Sequence, residues 1–172
     1  DYVKQMEARG IRCTAFNRYR PVYSVVMNHR DHRKIFVVDG YIGYTGGANM
    51  SDEYIGEWVR FGDWKDNFVR LEGEGAWGLT REFLQMWQRM DGQLYHEYDY
   101  YRPLHHPLEQ GFCQTVVDGP DDNPNNAAED LFLQMISRAR REVYITTPYL
   151  AIDEPMLKAL CLAAESGVDG RL

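Results

Sequence analysis

The chain has 172 residues, 44% hydrophobic and 26% charged, which places it among globular proteins and excludes a disordered segment. Its net charge of −7 excludes a general polyanion binder and counts against a nonspecific nuclease, which would present a basic surface. That length suits one ordinary domain, or pieces of two.

In chain order, "DYVKQMEARG" reads as the last turns of a helix closed by Gly10, and "IRCTAF" (11–16) alternates like a strand. From Arg12 to Lys34 six basic residues (Arg12, Arg18, Arg20, Arg30, Arg33, Lys34) stand against one acid, Asp31. This basic stretch fits either an anionic ligand or a solvated loop. "KIFVV" and "YIGYT" are β-rich runs joined by Asp39-Gly40, the dipeptide favoured in tight hairpin turns. "NFVRLEG" (67–73) is another strand, and Ala76, Leu79, Phe83, Trp87 and Met90 then recur at helical spacing. Residues 91–110 carry two prolines and no clear period, and read as a connector with His105-His106 solvated; Tyr95, Tyr98, Tyr100 and Tyr101 read first as packing residues and second as a seat at a lipid interface.

The pattern then restarts. "GFCQTVV" (111–117) is predicted as a strand, "DGPDDNPNN" as a turn, and "AAEDLFLQMISRAR" as a helix with Leu131, Met135, Ile136 and Ala139 on one face. "EVYITTPYL" is predicted as a strand, followed by a helix capped by Asp153, with Pro155 in its first turn and Gly167 at its close. Strands alternating with helices imply an α/β protein, and the restart near residue 111 implies a second unit. Both ends read as cut, the first inside a helix and the last where a strand should begin. Cys13, Cys113 and Cys161 are odd in number and widely spaced, so they read as core thiols of a reducing compartment rather than disulfides or zinc ligands. No run approaches the ~20 apolar residues of a membrane span, and no signal peptide opens the chain.

The chemistry concentrates in "HRDHRKIFVVDGYIGYTGGAN", residues 29–49. On an extended chain, residues two apart share a face, so His32 and Lys34 project together while Arg33, Ile35 and Val37 point the other way. A cation beside an imidazole lowers its proton affinity, a poor structural choice unless a phosphate sits between them. Lys34 could then neutralise a non-bridging oxygen, while neutral His32 attacks phosphorus or transfers a proton. Gly46 and Gly47 would let the backbone approach a ligand, with the Asn49 amide as a donor just beyond. Asp39 reads first as the hairpin-turn residue and second as a member of the site.

His32, Lys34, Asp39, Gly46 and Gly47 stand at the spacing of the H-K-D motif of the phospholipase D superfamily. Five fixed positions at roughly one chance in twenty each recur about once in a few million windows, so the match is specific. Residues 27–56, "GDWKDNFVRLEG", "VVDGPDDNP", "VYITTPYL" and "ESGVD" resemble bacterial cardiolipin synthases, and the resemblance covers nearly the whole chain. It departs at His29 and Gly170, outside the motif. A His29/His32 metal pair lacks further ligands at a fitting spacing.

That resemblance implies phospholipase D-like α/β lobes, each with a mixed sheet flanked by helices and one H-K-D motif, and a site at their seam. Residues 1–92 would be the C-terminal part of the first lobe, 93–110 the connector, and 111–172 the start of a truncated second lobe that lacks its motif. The implied reaction uses no metal and no cofactor. A phosphohistidine on His32 carries a phosphatidyl group between two phosphatidylglycerol molecules, giving cardiolipin and glycerol. Partners would be an anionic phospholipid and the cytoplasmic side of a bacterial cell membrane, with no nucleic acid. Thr147 and Tyr149, at a strand end matching a family motif, would line the site or simply end the strand. Trp64, Lys65 and Asp66 read as packing and turn residues. Two alternatives stay open: a one-motif phosphodiesterase or nuclease acting as a dimer, and a non-catalytic lipid-binding module.

Overall fold

A computed structural model describes residues 2–17, 30–59, 62, 64–90, 92–94, 96–104, 111–119 and 125–172. His29, Tyr95, His105, His106 and most of the 118–126 turn lie outside the described residues. The chain divides into two compact units, residues 1–115 and 116–172.

In the first unit, helix α1 (Tyr2–Glu7) ends as expected at Gly10, whose φ is +79°. The three strands β1 (Ile35–Val38), β2 (Ile42–Gly46) and β3 (Phe68–Glu72) form an antiparallel sheet in that order. Asp39 and Gly40 both take positive φ, +54° and +64°, and the Tyr41 N–H donates to the Val38 carbonyl at 3.0 Å. The Asp-Gly pair thus does what its chemistry favours. Gly40 has a second constraint, because a side chain there would run into the backbone carbonyl of Tyr101.

Helix α2 (Glu74–Arg89) covers one face of this sheet. Gly43 of β2 is buried, and a Cβ on it would meet Leu79 at 2.9 Å and Ala76 at 3.3 Å. The missing side chain lets helix and sheet close together. The buried face of α2 is Ala76, Leu79, Thr80 and Leu84, an i, i+3, i+4, i+8 stripe. The expected stripe through Phe83 is corrected, since that ring is 49% exposed and stacks on Trp87.

Part of the predicted connector packs on this unit. A single 3₁₀ turn, Tyr98–Tyr101, lies against the hairpin, the Tyr98 hydroxyl donates to Gln88, and Arg102 pairs with Glu74. Two expected strands are absent: residues 11–16 and 111–117 carry no strand. Residues 113–115 instead lie along α2, where Cys113 faces Gly75 and Thr115 faces Gly78. Alternation alone did not supply a pairing edge. The core-thiol expectation is also corrected, because Cys113 and Cys161 are exposed and Cys13 is half-buried.

The second unit holds α3 (Ala127–Arg138), β4 (Glu142–Tyr144), α4 (Glu154–Glu165) and β5 (Asp169–Arg171), with β4 and β5 parallel. The Asp153 carboxylate accepts from the Met156 N–H at 3.0 Å with Pro155 in the first turn, as expected. Helix α3 is capped from a distance: Asp118 accepts from the Ala128 N–H at 2.8 Å. Of the expected α3 face only Ile136 is buried, whereas Met135 is 60% exposed. The strand predicted over 142–150 stops at Tyr144, where its pairing with Arg171 ends, apart from one further bond from the Ile145 N–H. The architecture is α/β throughout.

Gly40→Ala is expected to lower the unfolding midpoint clearly. The left-handed conformation costs an alanine about 1–2 kcal/mol, before the contact with the Tyr101 carbonyl is counted. Gly111, with nothing near its missing Cβ, serves as the control. Thermal unfolding of both alanine variants checks this, and a Gly40→Ala midpoint equal to that of Gly111→Ala would contradict it.

Candidate active site

The paired register of β1 begins at Ile35, opposite Thr45. His32 and Lys34 therefore lie just ahead of the strand rather than on it, which shortens the expected strand by one residue. Side-chain alternation still runs through them. On β1, Phe36 and Val38 are exposed, while Ile35 and Val37 are half-buried on the α2 side. Lys34 shares the parity of Phe36, on the face away from α2. His32 is exposed and Lys34 half-buried, and the Lys34 ammonium donates to the His32 carbonyl at 2.5 Å.

Beside Lys34 opens a cleft of about 570 Å³ whose walls include Phe36, Tyr44, Met50 and Phe68, with Arg33 and Asn49 also at its lining. Phe36 and Tyr44 are cross-strand partners with ring centroids 6.4 Å apart. An ammonium at the margin of an aromatic wall suits a ligand that is anionic at one end and apolar at the other.

Gly46 and Gly47 have a structural reason for lacking side chains. A Cβ on Gly46 would strike the Asn67 carbonyl and Phe68, and one on Gly47 would strike the Asp66 carboxylate. The glycine pair brings β2 close to the start of β3. Asn49 donates its amide to the Tyr54 hydroxyl at 2.7 Å, and the Tyr54 ring meets Trp64 edge-on at 4.9 Å. Asp66 accepts from the Asn67 N–H at 2.8 Å, a turn role in keeping with expectation.

The structure brings Lys34 and Asn49 to one cleft, with His32 adjoining and the glycine pair behind. Asp39 stands apart: it is exposed in the turn, five residues beyond Lys34, or roughly 16 Å along an extended chain. Thr147 and Tyr149 belong to the second unit. The Thr147 hydroxyl donates to the Tyr149 carbonyl and accepts from the Tyr149 N–H, leaving Tyr149 84% exposed. Phe36 and Phe68 went unnoticed in the sequence. Alternation from Lys34 points to Phe36, but Phe68 joins it only through the pairing of β3 with Gly46.

Arg33 is bound at both ends of its guanidinium. Asp31 accepts from its N–H and Nε at 2.9 Å each and from Nη2 at 3.0 Å, and Glu82 of α2 accepts from Nη1 at 3.2 Å. Burial pushes the Asp31 carboxyl up, but the hydrogen bonds and charge of Arg33 outweigh it and hold the carboxyl below its usual range. A lowered folded-state pKa means stability that is present above the unfolded value and lost as pH falls through the folded one. Wild type should therefore exceed Asp31→Asn in urea midpoint at neutral pH, and the gap should close below about pH 4. A gap that did not change with pH would contradict this.

Among the described residues no three His, Cys, Asp or Glu side chains converge as a metal site, and no helix is long and apolar enough to cross a membrane.

Relatives extend the comparison beyond the motif. The chain is 38% identical over 176 residues to the cardiolipin synthase of Geobacillus kaustophilus, covering 99% of this chain and 34% of that protein. Cardiolipin synthase 2 of Bacillus anthracis is 36% identical over 173 residues, again covering 99% and 34%. The chain is related to bacterial cardiolipin synthases. An uncharacterized protein of Streptococcus mutans is 40% identical over 174 residues, covering all of this chain and 37% of the relative. The chain thus spans about a third of the length of the curated relatives it matches. No protein-family model and no solved structure matches it. The α/β units are compatible with parts of phospholipase D-like lobes.

Proposed function

We propose that this chain supplies one of two phosphate-handling halves of a phosphatidyltransferase, and that the full-length protein converts two phosphatidylglycerol molecules into cardiolipin and glycerol. The observation that carries the reading is the Lys34 ammonium at the margin of the aromatic cleft beside His32. The names of the relatives support it independently.

In the proposed reaction an imidazole nitrogen of His32 attacks phosphorus, and the bond to the terminal glycerol oxygen breaks. The departing glycerol takes a proton from a histidine of a second H-K-D half, outside this chain. That histidine then takes the proton from a hydroxyl of the second phosphatidylglycerol, whose oxygen attacks the phosphohistidine and releases His32. Protons and charge balance over the two steps. Lys34 neutralises a non-bridging oxygen throughout, and its effect grows as charge develops in the transition state. The apolar cleft would take the lipid portion next to the phosphate; the resemblance to bacterial cardiolipin synthases favours a reaction at the cytoplasmic surface of a bacterial membrane.

The test is purified full-length protein in phosphatidylglycerol vesicles, with products read by mass spectrometry. Cardiolipin and glycerol should form in equal amounts and survive EDTA, because an imidazole and an ammonium serve where a metal otherwise would. The 172-residue chain alone, with one H-K-D motif, should be inert. Phosphatidic acid as the main product, or activity lost in EDTA and restored by one metal, would contradict the reading.

A further inference from the structure

Arg33 lies between the two residues proposed to handle phosphate, yet its guanidinium is committed to two carboxylates. Its guanidinium binds Asp31 through Nε and Nη2 and Glu82 through Nη1, and the three side chains are only 17–22% exposed. We propose that Asp31, Arg33 and Glu82 form a positioning clamp that fixes residues 31–34 to helix α2 and so holds Lys34 at the cleft and His32 beside it.

The argument is geometric. Residues 31–34 precede the paired register of β1, which begins at Ile35. A rotation of this segment by one residue would exchange the faces, turning Arg33 outward and His32 and Lys34 toward α2. The clamp opposes that rotation at the residue between the two. It is also tied to a rigid support, because Glu82 sits in the middle of α2 and that helix packs through Ala76 and Leu79 onto Gly43. Arg33 suits the task better than lysine, since its planar fork engages two carboxylates in fixed directions. Asp31 also accepts from the Arg33 backbone N–H, so side chain and main chain are held together.

This inference rests on the proposed roles of His32 and Lys34, and its test separates the two. In the full-length protein, Glu82→Ala and Glu82→Gln are compared with wild type for kcat, KM, thermal midpoint and amide hydrogen exchange. Glu82→Ala should lower kcat by about ten- to a hundredfold, the cost of slight misplacement, with KM within about twofold. Glu82→Gln, a neutral acceptor of the same size, should recover part of that loss. Exchange across residues 31–34 should quicken in Glu82→Ala at temperatures well below unfolding, while the rest of the sheet keeps its protection. Unchanged exchange across 31–34 would overturn the clamp, as would a kcat loss that merely follows the fraction unfolded. If the wild type shows no phosphatidyl transfer, the phosphoryl-transfer reading fails, while exchange still decides whether Glu82 holds the segment.

Discussion

His32→Ala in the full-length protein should abolish phosphatidyl transfer, not merely slow it. The proposed pathway passes through a covalent bond to this imidazole, and alanine offers no nucleophile in its place. Lys34 cannot substitute, because its ammonium is engaged with the His32 carbonyl. Stability should hardly change, because His32 is exposed and surface substitutions usually stay within about 0.5 kcal/mol. Loss of turnover with an unchanged thermal midpoint is therefore the expected signature. Wild-type turnover in the variant would remove His32 from the mechanism.

The next largest effect is expected at Lys34. Removing the ammonium takes charge stabilisation from a transition state that gathers negative charge on the phosphoryl oxygens. Such losses typically reach about 10²–10³ in rate. Lys34→Ala should thus leave a measurable residue of activity where His32→Ala leaves none. Lys34→Arg should recover little of it. A planar fork is wider than an ammonium and would have to share the margin with Phe36 and Asn49, which line the same cleft. Steady-state kinetics on both variants check this, and full activity in Lys34→Arg would show that charge alone suffices.

Much of the fold could be read from local chemistry. Asp39-Gly40 demanded positive φ at adjacent residues, and Asp153 with Pro155 announced a helix start; both elements stand where their residues require. Gly10 and Gly167 close helices in left-handed conformations, +79° and +89°. What escaped the sequence depends on partners distant in the chain. Residues 11–16 and 111–117 alternate as strands do, but a strand exists only where another edge receives its hydrogen bonds. The burial of Leu84 in place of Phe83 follows from where α2 meets the sheet, which helical spacing alone leaves undecided.

The site shows the same division. His32 and Lys34 were conspicuous because their spacing places unlike chemistry on one face. The cleft was not, because Phe36, Tyr44 and Phe68 come from three strands and meet through the register alone. The glycine pair was legible as a close approach but not as to what approaches, which here is Asp66 and Phe68. Glu82 carried no signal at all, lying 49 residues from Arg33.

Trapping the intermediate tests the central claim most directly. Full-length protein is mixed with phosphatidylglycerol carrying labelled phosphorus, quenched in alkali within one turnover, digested and mapped by mass spectrometry. Phosphohistidine is stable to alkali, whereas phosphoserine is not, so the quench selects the proposed species. Label on the peptide containing His32, absent in His32→Ala, is the predicted result. Cardiolipin formation with no protein-bound label, or label on another residue while His32→Ala still turns over, would contradict it.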